Sequence, residues 1–382
     1  MLKRIYIDNF KCFVNFELTI QNLNLFFGQN GCGKTTVFEV LEKIQRFVID
    51  TDSIKSLFKP IYLTRWQTTL LQRFEIEIAG NGGIYRYALG IQQALSYPQI
   101  EYERLVFNEH PLFEYQRHLG IAHLYDDEHR LNQKYLFDIQ RSGVGVIQPR
   151  TDNQKLIGFK QRLARFFIVH IEPNLMDSET YQEVTHPNWS MSNYAAWFRY
   201  LSQEYQGKVF RLTQELRKIL LGFDAFKIAQ MGEKKILTVD FIDAALSERP
   251  INYYFSELSS GQRMLIVLYT LLYCLPDKPC TLCIEKPEEF LALPYIQPWL
   301  DTLHEYCLNQ NLQTLIISHH PKLINSLIQS SYWFNRTHQS PVVAQAVTQE
   351  GGQGQLSISE LAARGWIYDY DDMQLTLYKE PN

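Results

Sequence analysis

Gly28-Gln29-Asn30-Gly31-Cys32-Gly33-Lys34-Thr35 is the stretch that decides how this chain folds. It fits the spacing G-x-x-x-x-G-K-[ST] at every fixed position. Glycines at these places let successive backbone N–H groups curl around a polyphosphate. Lys34 has the reach to meet the outer phosphates, and the Thr35 hydroxyl suits Mg²⁺. The flanks agree with this reading. An apolar strand over residues 24–28 precedes the loop. Residues 34–50 then read as a helix, with Val37, Val40, Leu41, Ile44 and Phe47 on one face. Strand, loop and helix in that order place the phosphates at a helix N-terminus and predict an α/β fold.

Outward from this loop, the 382 residues suffice for two or three ordinary domains, or for one large domain with an insertion. Hydrophobic residues make up 46% and charged residues 20%, which excludes a disordered or low-complexity chain. The aromatic content of 14% is spread along the sequence and points to large packed cores. A net charge of −4 gives no global basic field for nucleic acid or acidic membranes, though a local basic groove stays open. No apolar run is long enough to cross a bilayer, and the N-terminus lacks the pattern of a signal peptide. The six cysteines, Cys12, Cys32, Cys274, Cys280, Cys283 and Cys307, sit in apolar surroundings, as expected in a reducing cytoplasm.

Residues 2–8 and 14–28 read as strands. The alternating stretches 74–79, 83–91 and 98–107, with Gly80-Asn81-Gly82-Gly83 between the first two, read as an antiparallel meander. Residues 193–221 read as one long helix, with Lys208, Arg211, Arg217 and Lys218 on its solvated outer side. A hairpin follows at 226–242. Residues 262–275 and 296–309 read as helices, and 280–284 and 313–318 as buried strands.

Three polar segments terminate these elements. Ser256-Glu257-Leu258-Ser259-Ser260-Gly261-Gln262-Arg263 opens an apolar helix. Its hydroxyls and glycine offer a second anion site at a helix N-terminus, or a plain helix cap. The strand Thr281-Leu282-Cys283-Ile284 ends in Glu285-Lys286-Pro287-Glu288-Glu289. The last buried strand ends in Ser318-His319-His320-Pro321.

In this order the four motifs resemble those of ABC-type ATPases of the RecF, SMC and OLD-like group. Asn9-Phe10-Lys11-Cys12-Phe13 looks like the NF-[KR]-S-F segment of RecF and SMC-type heads. The run Ala292-Leu293-Pro294-Tyr295-Ile296-Gln297-Pro298-Trp299-Leu300 is similar to a subset of stand-alone bacterial members with EIQPWL after Walker B and SHHP later on. The likeness is specific over 1–50 and 250–335, loose across 60–250 and absent in the tail.

The resemblance implies a P-loop NTPase fold of the ABC-ATPase head type, a mixed sheet with an antiparallel β lobe and a helical insertion. We expect an N-terminal half-head over 1–95, a β meander or insertion over 96–150 and a helical arm over 151–222. The C-terminal half-head then covers 223–335, with a tail over 336–382. The resemblance assigns ATP and Mg²⁺ as cofactors. Gly28, Gln29, Asn30, Gly31, Cys32, Gly33, Lys34, Thr35 and Thr36 would hold the phosphates. Ser259, Ser260, Gly261 and Gln262 would form the signature, which in the family covers ATP held by another subunit, so a nucleotide-sandwiched homodimer is implied.

The Walker B segment departs from the family's D-E-P-[DE]-N. Glu285 stands where the Mg²⁺-holding Asp is expected, and Lys286 where the catalytic Glu is expected. An ammonium cannot serve as the usual general base, and loss of such a base commonly costs about 10²–10⁴ in rate. A shifted register would make Glu285 the base, but would leave Ile284 at the metal position and Pro287 out of phase. Glu288 can position water or sit with Glu289 in a solvated turn. His319 matches the switch histidine that touches the γ-phosphate, while His320 suits a helix cap. Gln67 is favoured over Gln72 as the glutamine that senses Mg²⁺, so the expected metal set is Thr35, Gln67 and Glu285.

Other candidates have blander readings. Cys280 and Cys283 point to opposite faces of a strand, which suits core packing, and no second cysteine pair completes a zinc site. His118, His123 and His129 show no ligand spacing. Lys155, Lys160, Arg162 and Arg165 could touch nucleic-acid phosphates, or snorkel from an amphipathic helix. Asp369, Asp371 and Asp372 read as a solvated acidic tail rather than a metal site. The chain after His319 is too short for the Toprim nuclease that some OLD-like relatives carry.

The expected function is a cytoplasmic ATPase whose heads close on ATP in DNA repair, chromosome handling or phage defence. It would act with a separately encoded nuclease or other effector, and direct DNA contact stays open. The alternative is a nucleotide-gated scaffold or sensor with little turnover, supported by Lys286. A transporter subunit fits worse, because the middle segment is long and no membrane coupling is evident.

Overall fold

Alternation in Phe74-Glu75-Ile76-Glu77-Ile78 builds the larger of the sheets. Phe74, Ile76 and Ile78 are fully buried, while the acidic residues between them face outward. The structure, a computed structural model, describes residues 1–93, 97–242, 249–309, 312–336, 340–347 and 359–360. The acidic cluster Asp369, Asp371 and Asp372 lies outside the described residues. The chain separates into two compact units, Met1–Phe166 with Ile317–Asn382, and Phe167–Ile316.

The first unit begins with β1 (Leu2–Asp8), β2 (Phe16–Thr19), β3 (Leu23–Gly28) and α1 (Lys34–Gln45). The stretch expected as one strand over 14–28 is thus two strands, turned at 20–22, where the Asn24 side chain accepts from the Gln21 N–H. A short helix, α2 (Ile54–Leu57), precedes six strands: β4 (Leu71–Gly80), β5 (Gly83–Gln92), β6 (Gln99–Phe107), β7 (His110–Gln116), β8 (Ile121–Tyr125) and β9 (Leu131–Leu136). They form one antiparallel sheet in the order β2-β1-β4-β5-β6-β7-β8-β9. Asn81 (φ 53°) and Gly82 (φ 79°) make the two-residue turn between β4 and β5. Positive φ at both central positions matches the right-handed strand twist, which explains the Asn-Gly pair.

Charged residues cover the sheet's outer face in pairs such as Arg4–Glu75 (2.8 Å) and Arg86–Glu77 (2.9 Å). After the short α3 (Gly143–Val146) comes α4 (Gln154–Leu163), which lays Phe159 against Tyr85 and Tyr87. The basic residues on α4 are engaged within this unit, Arg162 with the Asn81 side chain and the two lysines with backbone carbonyls. Lys155 Nζ donates to the Asp127 carbonyl, and Lys160 Nζ to the Gly145 and Ile147 carbonyls. Helix α1 continues as expected to residue 50, but Arg46–Asp50 winds as a π-helix ending at Thr51 in the left-handed region.

The second unit holds β10 (Phe166–His170), β11 (Glu179–Thr180), α5 (Tyr194–Glu204), α6 (Gln206–Ile219), β12 (Phe223–Met231), β13 (Lys234–Phe241), β14 (Ile251–Tyr254), α7 (Ser260–Tyr273), β15 (Cys280–Glu285), α8 (Leu293–Leu308) and β16 (Leu312–Ile317). Strand β13 pairs with β12, β11 and β14 in a small antiparallel sheet. Strands β10, β15 and β16 neighbour one another in that order. Helix α7 is buried from Arg263 to Leu272. A helix apolar all round belongs in a core.

Two expectations about the helical stretch are corrected. Residues 193–221 form two helices, because Tyr205 leaves helical geometry at φ −130° and ψ 45°. Lys208 is buried rather than solvated; its Nζ donates to the Leu275 carbonyl and lies 2.8 Å from Asp277. Cys280 and Cys283 are both buried, as core packing requires.

The chain returns to the first unit with α9 (Pro321–Ser326), β17 (Ser331–Asn335) and β18 (Val343–Ala346). Strand β17 runs parallel to β3, with Phe334 opposite Gly28, and β18 pairs antiparallel with β17.

Candidate nucleotide-binding site

The phosphate loop starts where β3 ends. A Cβ at Gly28 would lie 2.0 Å from the Phe334 carbonyl oxygen, so only glycine lets β17 approach there. Gly31 (φ 79°) and Gly33 (φ 88°) sit in the left-handed region. A Cβ at Gly33 would also meet Cys12 Sγ and Phe13 Cζ at 2.8 Å, whereas nothing described lies within 4 Å of one at Gly31. Gly33 is the N-cap of α1; no described side chain caps that end, and its first turn holds no acidic residue. Its N–H groups and dipole therefore suit an anion. Lys34 is buried within the loop, where Nζ donates to the carbonyls of Gly28 (2.9 Å) and Gln29 (2.7 Å). Cys32 is buried and its Sγ donates to the Gln29 carbonyl (2.7 Å), a structural role. Gln29, Asn30 and Thr35 are exposed, and Thr36 is half-buried.

Four more residues singled out by the sequence belong to this unit. Ser318 N–H donates to the Phe26 carbonyl (3.3 Å), which brings the turn carrying His319 beside the strand that feeds the loop. His319 is exposed. His320 caps α9 by accepting from the Lys322 N–H, as expected, and burial lowers its pKa. Gln72 is fully buried and donates to the Asn9 carbonyl (3.0 Å), so it serves the core. Gln67 is half-buried in the loop after Thr64. Asn9 anchors that loop: its Oδ1 accepts from the Thr64 N–H, and its Nδ2 donates to the Thr69 and Leu71 carbonyls. The Arg336 guanidinium stacks on Trp66, next to Gln67, at 4.7 Å.

The second unit carries the remaining motifs. Ser259 is the N-cap of α7, and Ser259 and Gln262 exchange side-chain and backbone hydrogen bonds in a capping box. The cap expectation therefore holds for these two residues. Ser260 Oγ donates to Asn174 Oδ1 (2.9 Å). A Cβ at Gly261 would lie 2.9 Å from the Phe290 carbonyl, so glycine allows close approach to the turn after β15. Glu285 ends β15 and is buried, only 9% exposed. Lys286 adopts φ 48°, and its ammonium lies 3.9 Å from Glu289. Glu288 is half-buried in the same turn.

One neighbour of Glu285 escaped the sequence reading. His170 ends β10 as Glu285 ends β15, and its Nδ1 lies 3.7 Å from the Glu285 carboxylate. Its signal is an apolar run, Phe166–Val169, closed by a polar residue, the same pattern that marks the strand ending in Glu285.

In fold the chain is similar to the SMC head, and its N-terminal residues match an ATPase family. Residues 1–77 match the family described as an AAA ATPase domain. Among solved structures, an SMC head domain from Thermotoga maritima shares the fold at a TM-score of 0.50 and 12% sequence identity. The alignment covers 91% of this chain and 99% of that one. No curated protein matches this sequence as a relative.

Proposed function

We propose that this protein binds Mg-ATP and uses it to close two heads together, with slow hydrolysis. The observation that carries this reading is the loop before α1. Glycines at positive φ, an uncapped helix N-terminus free of acidic residues, and a buried lysine together fit a polyphosphate. Bound Mg²⁺ would neutralise charge on the β and γ phosphates. Thr35 and Glu285 are the residues assigned to hold it, with Gln67 as its sensor. Lys34 binds the outer phosphates, and His319 reports the γ-phosphate. Glu288 is the carboxylate assigned to position water in place of the missing base.

A second reading, a nucleotide-gated scaffold or sensor, is favoured by Lys286, which gives the usual base position an ammonium. The partner and process rest on resemblance. It supports a cytoplasmic, DNA-related or phage-defence role beside an effector or nuclease, and an ATP-sandwiched homodimer built on Ser259, Ser260, Gly261 and Gln262. No helix among the described residues is long and apolar enough to cross a membrane.

The direct test is equilibrium binding of a fluorescent ATP analogue. Lys34→Ala should abolish binding, because the contact to the outer phosphates is lost. Unchanged affinity in a correctly folded variant would remove the P-loop assignment.

A further inference from the structure

Glu285 is one methylene longer than the aspartate usual at its place, so its carboxylate has an extra torsion to fix before it can serve a metal. Lys286 is not placed to fix it, since its ammonium lies toward Glu289. His170 is. Strands β10 and β15 are neighbours and end side by side, with His170 Nδ1 3.7 Å from Glu285 Oε2. That nitrogen is buried and makes no hydrogen bond with any described residue. The histidine's backbone is clamped: its N–H donates to the Trp189 carbonyl (2.7 Å), and Glu172 N–H donates to Ser190 O (3.1 Å). With the backbone held, a small turn of the ring or carboxylate closes the gap to hydrogen-bond length.

We propose that His170 is a positioning residue for Glu285: Nδ1–H donates to the carboxylate and holds it in the orientation that receives the Mg²⁺ shell. The inference rests on the assignment of Glu285 to Mg²⁺. A hydrogen-bonded neighbour that orients a metal-ligating carboxylate commonly changes metal affinity about 10–100-fold when removed. Either the neutral Nδ1–H tautomer or the imidazolium can donate, so the role needs no change of protonation.

The test uses the full chain as wild type, His170→Ala, His170→Asn and His170→Gln. A fluorescent ATP analogue is titrated in EDTA, then at rising Mg²⁺ concentration. Asparagine places an N–H donor near the position of Nδ1, whereas glutamine places it nearer that of Nε2. All four proteins should bind the analogue equally in EDTA, which also shows that they are folded. The Mg²⁺ concentration giving half the metal-dependent gain should rise about tenfold in His170→Ala and His170→Gln, and stay within about twofold in His170→Asn. Equal Mg²⁺ dependence in all four would overturn the inference, as would an asparagine variant as impaired as alanine. Should His170→Ala fail to fold, the asparagine–glutamine contrast carries the same decision. A wild type that binds no analogue under either condition would instead refute the nucleotide reading. Binding without any Mg²⁺ dependence would refute the metal assignment of Glu285.

Discussion

Lys286 holds φ 48°, a conformation that costs any L-residue with a side chain, and glutamate can take it no less readily than lysine. Exchange at this position therefore tests chemistry rather than backbone strain. Steady-state phosphate release with Mg-ATP should be near background in wild type and rise about 10²-fold in Lys286→Glu, the contribution of a restored general base. A fast wild type that depends on Glu285 or Glu288 would show a rearranged base instead. A second residue sets a pH dependence. Burial raises the Glu103 carboxyl to about 7, although Ser142, the Gly143 N–H and Tyr87 donate hydrogen bonds that oppose the rise. The folded chain keeps this proton where the unfolded chain has lost it. The resulting stability is complete below the ordinary value of 4.5 and is lost as pH climbs through about 7. The loss is on the order of 3 kcal/mol at most. The melting temperature of wild type should therefore fall relative to Glu103→Gln between pH 5 and 8. A constant difference across that range would refute the raised carboxyl.

At the scale of elements, helix positions were legible and helix continuity was not. Leu201, Tyr205, Val209, Leu212 and Leu216 keep a helical rhythm through the break, because apolar spacing carries no record of one residue leaving helical φ and ψ. Lys208 misled for a related reason. Its charge suggests solvent, but the stem is buried and the ammonium meets a carbonyl at the end of the neighbouring α7 segment. Lys208→Met should lower stability by about 1–3 kcal/mol in urea denaturation, since the Leu275 carbonyl loses its donor. Arg211→Ala, on an exposed position of the same helix, should stay within about 0.5 kcal/mol. Equal effects would mean that Lys208 is no buried anchor.

At the scale of the whole molecule, the proposed sandwich makes Ser260 an interface residue that the helix cap does not need. Ser259 and Gln262 cap α7 by themselves, and Ser260 is half-buried with its hydroxyl on Asn174. Ser260→Arg should leave ATP-analogue affinity within about twofold, yet abolish the ATP-dependent dimer in sedimentation velocity, because a long cation cannot fit where backbone must approach phosphate. A dimer that persists with ATP would contradict the sandwich. The phosphate loop was determined by sequence alone, since its chemistry is backbone geometry and glycine at fixed spacing dictates backbone geometry. The strand ending in Glu285 and the turn carrying His319 were legible for a similar reason, as apolar runs that end in polar residues. Only tertiary structure decided that Gln72 serves the core, that Lys208 is buried and that His170 stands beside Glu285. Those facts depend on which strand lies next to which and on where a distant carbonyl points, and residues far apart in sequence leave no local pattern of such meetings.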